Sequence, residues 1–137
     1  MAIVNVQKVT RKADYSDLDL DFNVHPVTGD ITKRYGVEAI ARSVRNLIFT
    51  NFYDRPFNPA LGSNAQKLLF DNVTMMTANL LKDAIIQVIQ NFEPRVEIID
   101  VIVQSFPDEN GYRSKIVFKP INKTEPYQVS VFLERIR

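Results

Sequence analysis

Residues 96–134 read VEIIDVIVQSFPDENGYRSKIVFKPINKTEPYQVSVFLE, and this stretch decides the fold class. Positions 96–104 are rich in Val and Ile, the branched side chains that suit a pleated, half-buried surface. Their alternation changes phase at Ile98-Ile99, which implies burial on both faces or a β-bulge. Pro107-Asp108-Glu109-Asn110-Gly111 is hairpin chemistry, residues 115–119 form the next strand, and residues 122–126 turn again. Tyr127, Val129, Val131 and Leu133 then alternate with Gln128, Ser130 and Glu134, while Phe132 is an apolar exception on the second face. The spacing predicts a C-terminal antiparallel β-meander.

The period is different upstream. Val37, Ile40, Ala41, Val44, Leu47, Ile48 and Phe52 recur at three- and four-residue steps, with Glu38, Arg42, Arg45 and Asn46 on other faces, as in an amphipathic helix. Two prolines and a glycine in Asp54-Arg55-Pro56-Phe57-Asn58-Pro59-Ala60-Leu61-Gly62-Ser63 forbid regular structure there. A short helical piece over 65–70 leads to a longer helix over 74–91. Ala78, Leu81, Ile85, Val88 and Phe92 form its stripe, and Leu80, Ile86 and Ile89 widen it. Glu93 is pushed from helical dihedrals by Pro94 and ends that helix. Before the helices, residues 17–24 show period two, with Leu18, Leu20, Phe22 and Val24 as the expected buried face and Asp17, Asp19 and Asp21 opposite. Residues 25–30 make a turn, and residues 1–14 suit an arm. The class is α+β: an N-terminal strand, two to three helices, then the meander, expected as a single domain over 1–137.

Composition narrows the chemistry. A chain of 137 residues with 45% hydrophobic content can bury one sizeable core. Zero cysteines exclude disulfides, thiolate metal sites and a cysteine nucleophile. A formal charge of +1 gives no broad basic field for nucleic acid, and no apolar run approaches membrane-spanning length. Neither nucleic acid nor membrane is expected as a partner.

Asp17, Asp19 and Asp21 imitate the start of a calcium loop, but Phe22 stands where that loop needs glycine and Thr28 where it needs glutamate. They read instead as a solvated face, or one that meets a basic partner. His25 is the only histidine, sits in a His-Pro turn, and has no Gly-x-Ser-x-Gly context to supply a nucleophile. No catalytic, metal or cofactor residues are assigned. Glu93 lies at the end of a helix dipole that disfavours an acid, whereas Arg95 is well placed there. Glu93 therefore needs a holder, either Arg95 within the chain, solvent at the helix end, or a partner seated on an ion-paired socket. The final strand, if it is a sheet edge, offers unpaired backbone groups to a strand from another chain, unless the N-terminal segment covers it.

Taken in order, the Leu18-Asp19-Leu20-Asp21-Phe22 strand, the helix over 39–49, the Arg55-to-Ser63 loop, Glu93-Pro94-Arg95 and the terminal meander resemble the baseplate wedge and sheath-initiator family of contractile-tailed phages, also called tail-lysozyme-like. The resemblance covers nearly the whole chain. Where the family's loop often opens with a Gly-Glu-Arg-type pattern, this chain has Tyr53-Asp54-Arg55. The resemblance implies a non-enzymatic virion subunit, assembled in the host cytoplasm, with a domain similar to the strand-exchanging part of sheath proteins. It implies docking on the wedge helical bundle through Glu93, Pro94 and Arg95, and templating of the first sheath ring through Tyr127, Val129, Val131 and Leu133. The implied partners are other wedge subunits, the tail sheath protein and tube-proximal proteins. The family's older label supplies the alternative, a peptidoglycan-cleaving enzyme, for which two suitably spaced carboxylates are needed.

Overall fold

The computed structural model describes residues 15–135 and closes the meander as an antiparallel sheet in the order β3-β4-β5, comprising Val96–Phe106, Gly111–Pro120 and Tyr127–Glu134. The phase change predicted near Ile98-Ile99 is a bulge. Ile98 pairs with Phe118 and Asp100 with Val117, so Ile99 has no opposite number and is exposed. The middle strand starts earlier than the sequence suggested, at Gly111, because Tyr112 and Ser114 continue the inward-facing set of Ile116 and Phe118.

One face of this sheet is covered by helices. The helix α1 (Gly36–Phe49) lies against β5, and α3 (Met75–Phe92) lies across β3, with the single turn α2 (Ala65–Leu68) beside them. Ile40, Val44, Leu47 and Ile48 from α1 and Leu81, Ile85, Val88 and Ile89 from α3 meet Val101, Ile116, Phe118, Val131 and Leu133 in one core. Burying each such side chain contributes roughly 1.5–3 kcal/mol before chain entropy is set against it. Thr74 caps α3 by accepting from the Thr77 amide at 3.2 Å. The wholly buried Tyr112 locks that cap to the sheet: its hydroxyl donates to the Asn72 carbonyl and accepts from the Thr74 amide.

The N-terminal strand departs from the expected reading. Continuous pairing is confined to β1 (Ser16–Leu18) with β2 (Lys33–Tyr35), a short antiparallel pair separate from the main sheet, followed by a single antiparallel bridge between Val24 and Ile31, and β2 carried no sequence signal. Leu18, Leu20, Phe22 and Val24, the expected buried face, are all exposed, while Asp19 retains only 1% of its surface. The cause is a turn: the Phe22 amide donates to the Asp19 carbonyl at 3.1 Å, and Phe22 has a left-handed φ of 53°. Arg34 from β2 and Arg42 from α1 then close on the Asp19 carboxylate. The arm expected over 1–14 lies outside the described residues.

Candidate functional site

Two features of the structure bear on function: a charged clasp at the end of α3 and an open edge along β5. Glu93 caps α3 and is almost wholly buried, and its carboxylate accepts from Arg95 Nε at 2.6 Å and from Nη2 at 2.8 Å, a two-pronged ion pair. Ser43 on α1 donates its hydroxyl to the same carboxylate. Arg95 also reaches the Asp17 carboxylate at 3.5 Å and lies over the Tyr15 ring, 5.5 Å from its centre. The holder that Glu93 needed is thus found within the chain. Through it the clasp ties α3, α1 and β1 together. Burial pushes the Glu93 carboxyl up, but the Arg95 and Ser43 hydrogen bonds outweigh it and hold the group below the usual carboxylate range. Pro94 is exposed between the two charged residues. Sequence reading had no signal for Ser43, Asp17 or Tyr15 as members of this cluster, because they come from two distant elements.

A second ionic cluster lies beside the first. Asp19 accepts from Asn23 at 3.1 Å and Thr32 at 3.2 Å and pairs with Arg34 at 3.4 Å and Arg42 at 3.2 Å, while Arg42 also meets Asp21 at 2.5 Å. Burial opposes the Asp19 charge, yet the bonds from Asn23, the Asp21 amide and Arg34 carry its pKa down from 3.8 to about 2. The three aspartates are therefore structural members of arginine pairs rather than one solvated face. His25 accepts the Val27 and Thr28 amides at its Nδ1, each at 3.3 Å, so it acts as the organiser of its turn.

A pH dependence follows. The folded chain keeps Asp19 and Glu93 ionised at pH values where the unfolded chain has begun to take up protons, so the unfolded state binds more protons as acid is added. Stability is fully present above about pH 4–5 and falls as pH drops toward about 2. Urea midpoints measured across this window should decline steeply in the native chain and less steeply in Asp19→Asn. Equal slopes in the two proteins would remove Asp19 as a source.

Along β5, Tyr127, Val129, Val131 and Leu133 all turn their side chains to the core face, with Val131 and Leu133 buried. The strand's second face exposes Gln128, Ser130, Phe132 and Glu134, and its outer edge presents backbone. It pairs with β4 on one side, and among the described residues no strand pairs with the other. The structure thus keeps Glu93, Pro94 and Arg95 together at one helix end and the four β5 residues together on one strand, as two separate features.

A helix-covered meander whose outer strands β3 and β5 each pair only with β4 among the described residues is an α+β domain of the kind found in contractile-tail baseplates. A chain of the anti-feeding prophage baseplate, seen by cryo-electron microscopy, superimposes with a TM-score of 0.69 at 26% identity, covering 80% of this chain and 87% of that one. The same fold occurs in a crystal structure of a putative tail lysozyme from Geobacter sulfurreducens, with a TM-score of 0.67 at 19% identity over 74% of this chain and 92% of that one. Residues 34–119 match the model of the family described as baseplate wedge protein gp25. The baseplate wedge protein gp25 of Enterobacteria phage T4 is 30% identical over 115 residues, 81% of this chain and 83% of that protein. The chain belongs to the baseplate wedge protein gp25 family and is a structural component of the phage tail baseplate.

Proposed function

We propose that this baseplate component is a non-catalytic connector with two contacts. Its Glu93-Pro94-Arg95 end docks on the helical bundle of other wedge subunits, and the free side of β5 receives a strand of the tail sheath protein, which templates the first sheath ring. The observation that carries the reading is the edge itself: β5 is anchored by its inward side chains and by β4, yet its other side has no strand partner among the described residues. Such an edge supplies main-chain hydrogen bonds in a fixed register. The whole chain acts as one domain, with tube-proximal proteins as a further partner. Cell-wall cleavage is the second reading, and the titration of the buried acids opposes it. Glycoside hydrolysis needs a general acid with a raised pKa, whereas hydrogen bonds, from Asn23, the Asp21 amide and Arg34 at Asp19 and from Arg95 and Ser43 at Glu93, hold these two buried acids low.

The edge is tested with proline. Along an antiparallel edge strand, amides point alternately to the neighbour and to the open side, so of Gln128 and Val129 one donates to β4 and the other is free. Proline at the outward position should leave a folded protein that enters baseplates but does not start sheath growth. Proline at the inward position should destabilise the fold. Sheath of normal length on baseplates carrying the folded outward variant would sink the edge role.

A further inference from the structure

We infer that Arg45 selects the incoming strand, and that the segment accepted by β5 carries a carboxylate on its inward face; this rests on the strand-acceptor reading above. An open groove of about 520 Å³ runs between α1 and β5, lined by Asp21, Ala41, Arg42, Arg45, Asn46 and Val129 among others. Val129 is the one residue of the main sheet that lines it, and Val129 lies on the outer strand β5. A strand added there would point alternate side chains to the same face as Val129 and Val131, into this groove and toward α1.

The groove's charges are not all balanced. Arg42 is engaged by Asp19 and Asp21, and Arg34 by Asp19 and Glu38. Arg45 is exposed, has no ion pair among the described residues, and rests near the Phe49 ring, 6.0 Å from its centre. Ala41, one helical turn earlier, gives an apolar floor opposite Val129. An incoming strand meets an apolar stretch and one unpaired guanidinium. The matching occupant is an extended segment of a second protein with apolar inward residues and one Asp or Glu at the Arg45 level. A Lys there would meet the like charge of Arg45, which is the repulsive half of the discrimination.

The test uses the full chain, labelled with nitrogen-15, and three ten-residue peptides of alternating Val and Thr. Each has one central Val replaced by Glu, Gln or Lys, and alternate amides methylated so that only one peptide edge pairs. Shifts of the β5 amides report binding. The native chain should bind the Glu peptide about tenfold more tightly than the Lys peptide, attraction and repulsion together, and Arg45→Glu should reverse the order. Three equal affinities, unchanged in Arg45→Glu, would overturn the role of Arg45 while leaving β5 a strand acceptor. Binding of no peptide by either protein would remove the strand-acceptor reading itself. Concentration-dependent β5 shifts before peptide is added would assign the groove to a second copy. Exchange-protected outward β5 amides in the dilute monomer would assign it to residues 1–14. Either of these last two results also overturns the inference.

Discussion

Arg95→Ala should lower the unfolding free energy by about 2–3 kcal/mol, the larger of the two effects expected at the α3 clasp. The substitution leaves Glu93, 3% exposed, with Ser43 as its remaining side-chain donor, and it releases Asp17 and Tyr15 from the end of the helix. Breaking a buried pair by removing one partner costs about 3–5 kcal/mol when the surviving charge stays dry. Arg95 keeps 24% of its side chain in solvent, so water can enter behind it, which places the expectation below that range. Glu93→Gln removes the charge and retains an acceptor for Ser43, so it should cost about 1 kcal/mol. Urea unfolding of the three proteins decides the matter. Equal losses in the two variants would mean that the cost is packing and not a stranded carboxylate. The same geometry constrains any assay of docking. An alanine at position 95 disturbs the fold and the contact together, whereas Arg95→Lys preserves the positive charge and loses the two-pronged pairing. A folded Arg95→Lys chain that fails to join the wedge would support docking through this end, and normal incorporation would remove it.

The clasp also shows what a sequence can and cannot say about such a site. The conflict between Glu93 and the helix dipole was legible, because it depends on residues adjacent in sequence. That Arg95 resolves it jointly with Ser43 and Asp17 was not, since those residues lie 50 and 78 positions away from their partners. The bulge at Ile99 was legible for the same local reason: two consecutive apolar residues broke a period of two, and the backbone answered by leaving one unpaired. The β1 region was misread despite having the clearest alternation. Periodicity states that two faces differ, but the choice of which face is covered belongs to the surroundings. Here the arginines of β2 and α1 draw Asp19 inward, and the turn at Phe22 sends Leu18, Leu20 and Phe22 outward. In a protein built to join others, apolar alternation need not point at the chain's own core.

Gly62→Ala should destabilise the chain by about 2–4 kcal/mol, far more than an alanine at Gly29. Both glycines interrupt loops, but their surroundings differ. A Cβ on Gly62 would lie 2.4 Å from the carbonyl carbon of Asn51 and 2.5 Å from the Phe52 nitrogen. These are backbone atoms that cannot swing aside as a side-chain tip can. The contact is tight because the loop returns on itself there: Asn51 bridges to Ser63, the Ser63 amide donates to the Thr50 carbonyl at 2.9 Å, and the Ser63 hydroxyl donates to the Ile48 carbonyl at 3.0 Å. Separating the two segments by the necessary ångström or so would break this stitching at the end of α1 and loosen the start of α2, whose Ala65 amide donates to Ser63 Oγ. A Cβ on Gly29 meets nothing within 4 Å and suffers only its left-handed φ of 68°, a strain of about 1 kcal/mol. Thermal and urea unfolding of the two alanine variants measures the difference. If Gly62→Ala and Gly29→Ala lose the same stability, the loop yields at Asn51 without cost and the close approach does not hold it in place. If Gly62→Ala alone unfolds readily, the glycine of the Arg55-to-Ser63 loop is required by backbone packing, before any contact with another subunit is considered.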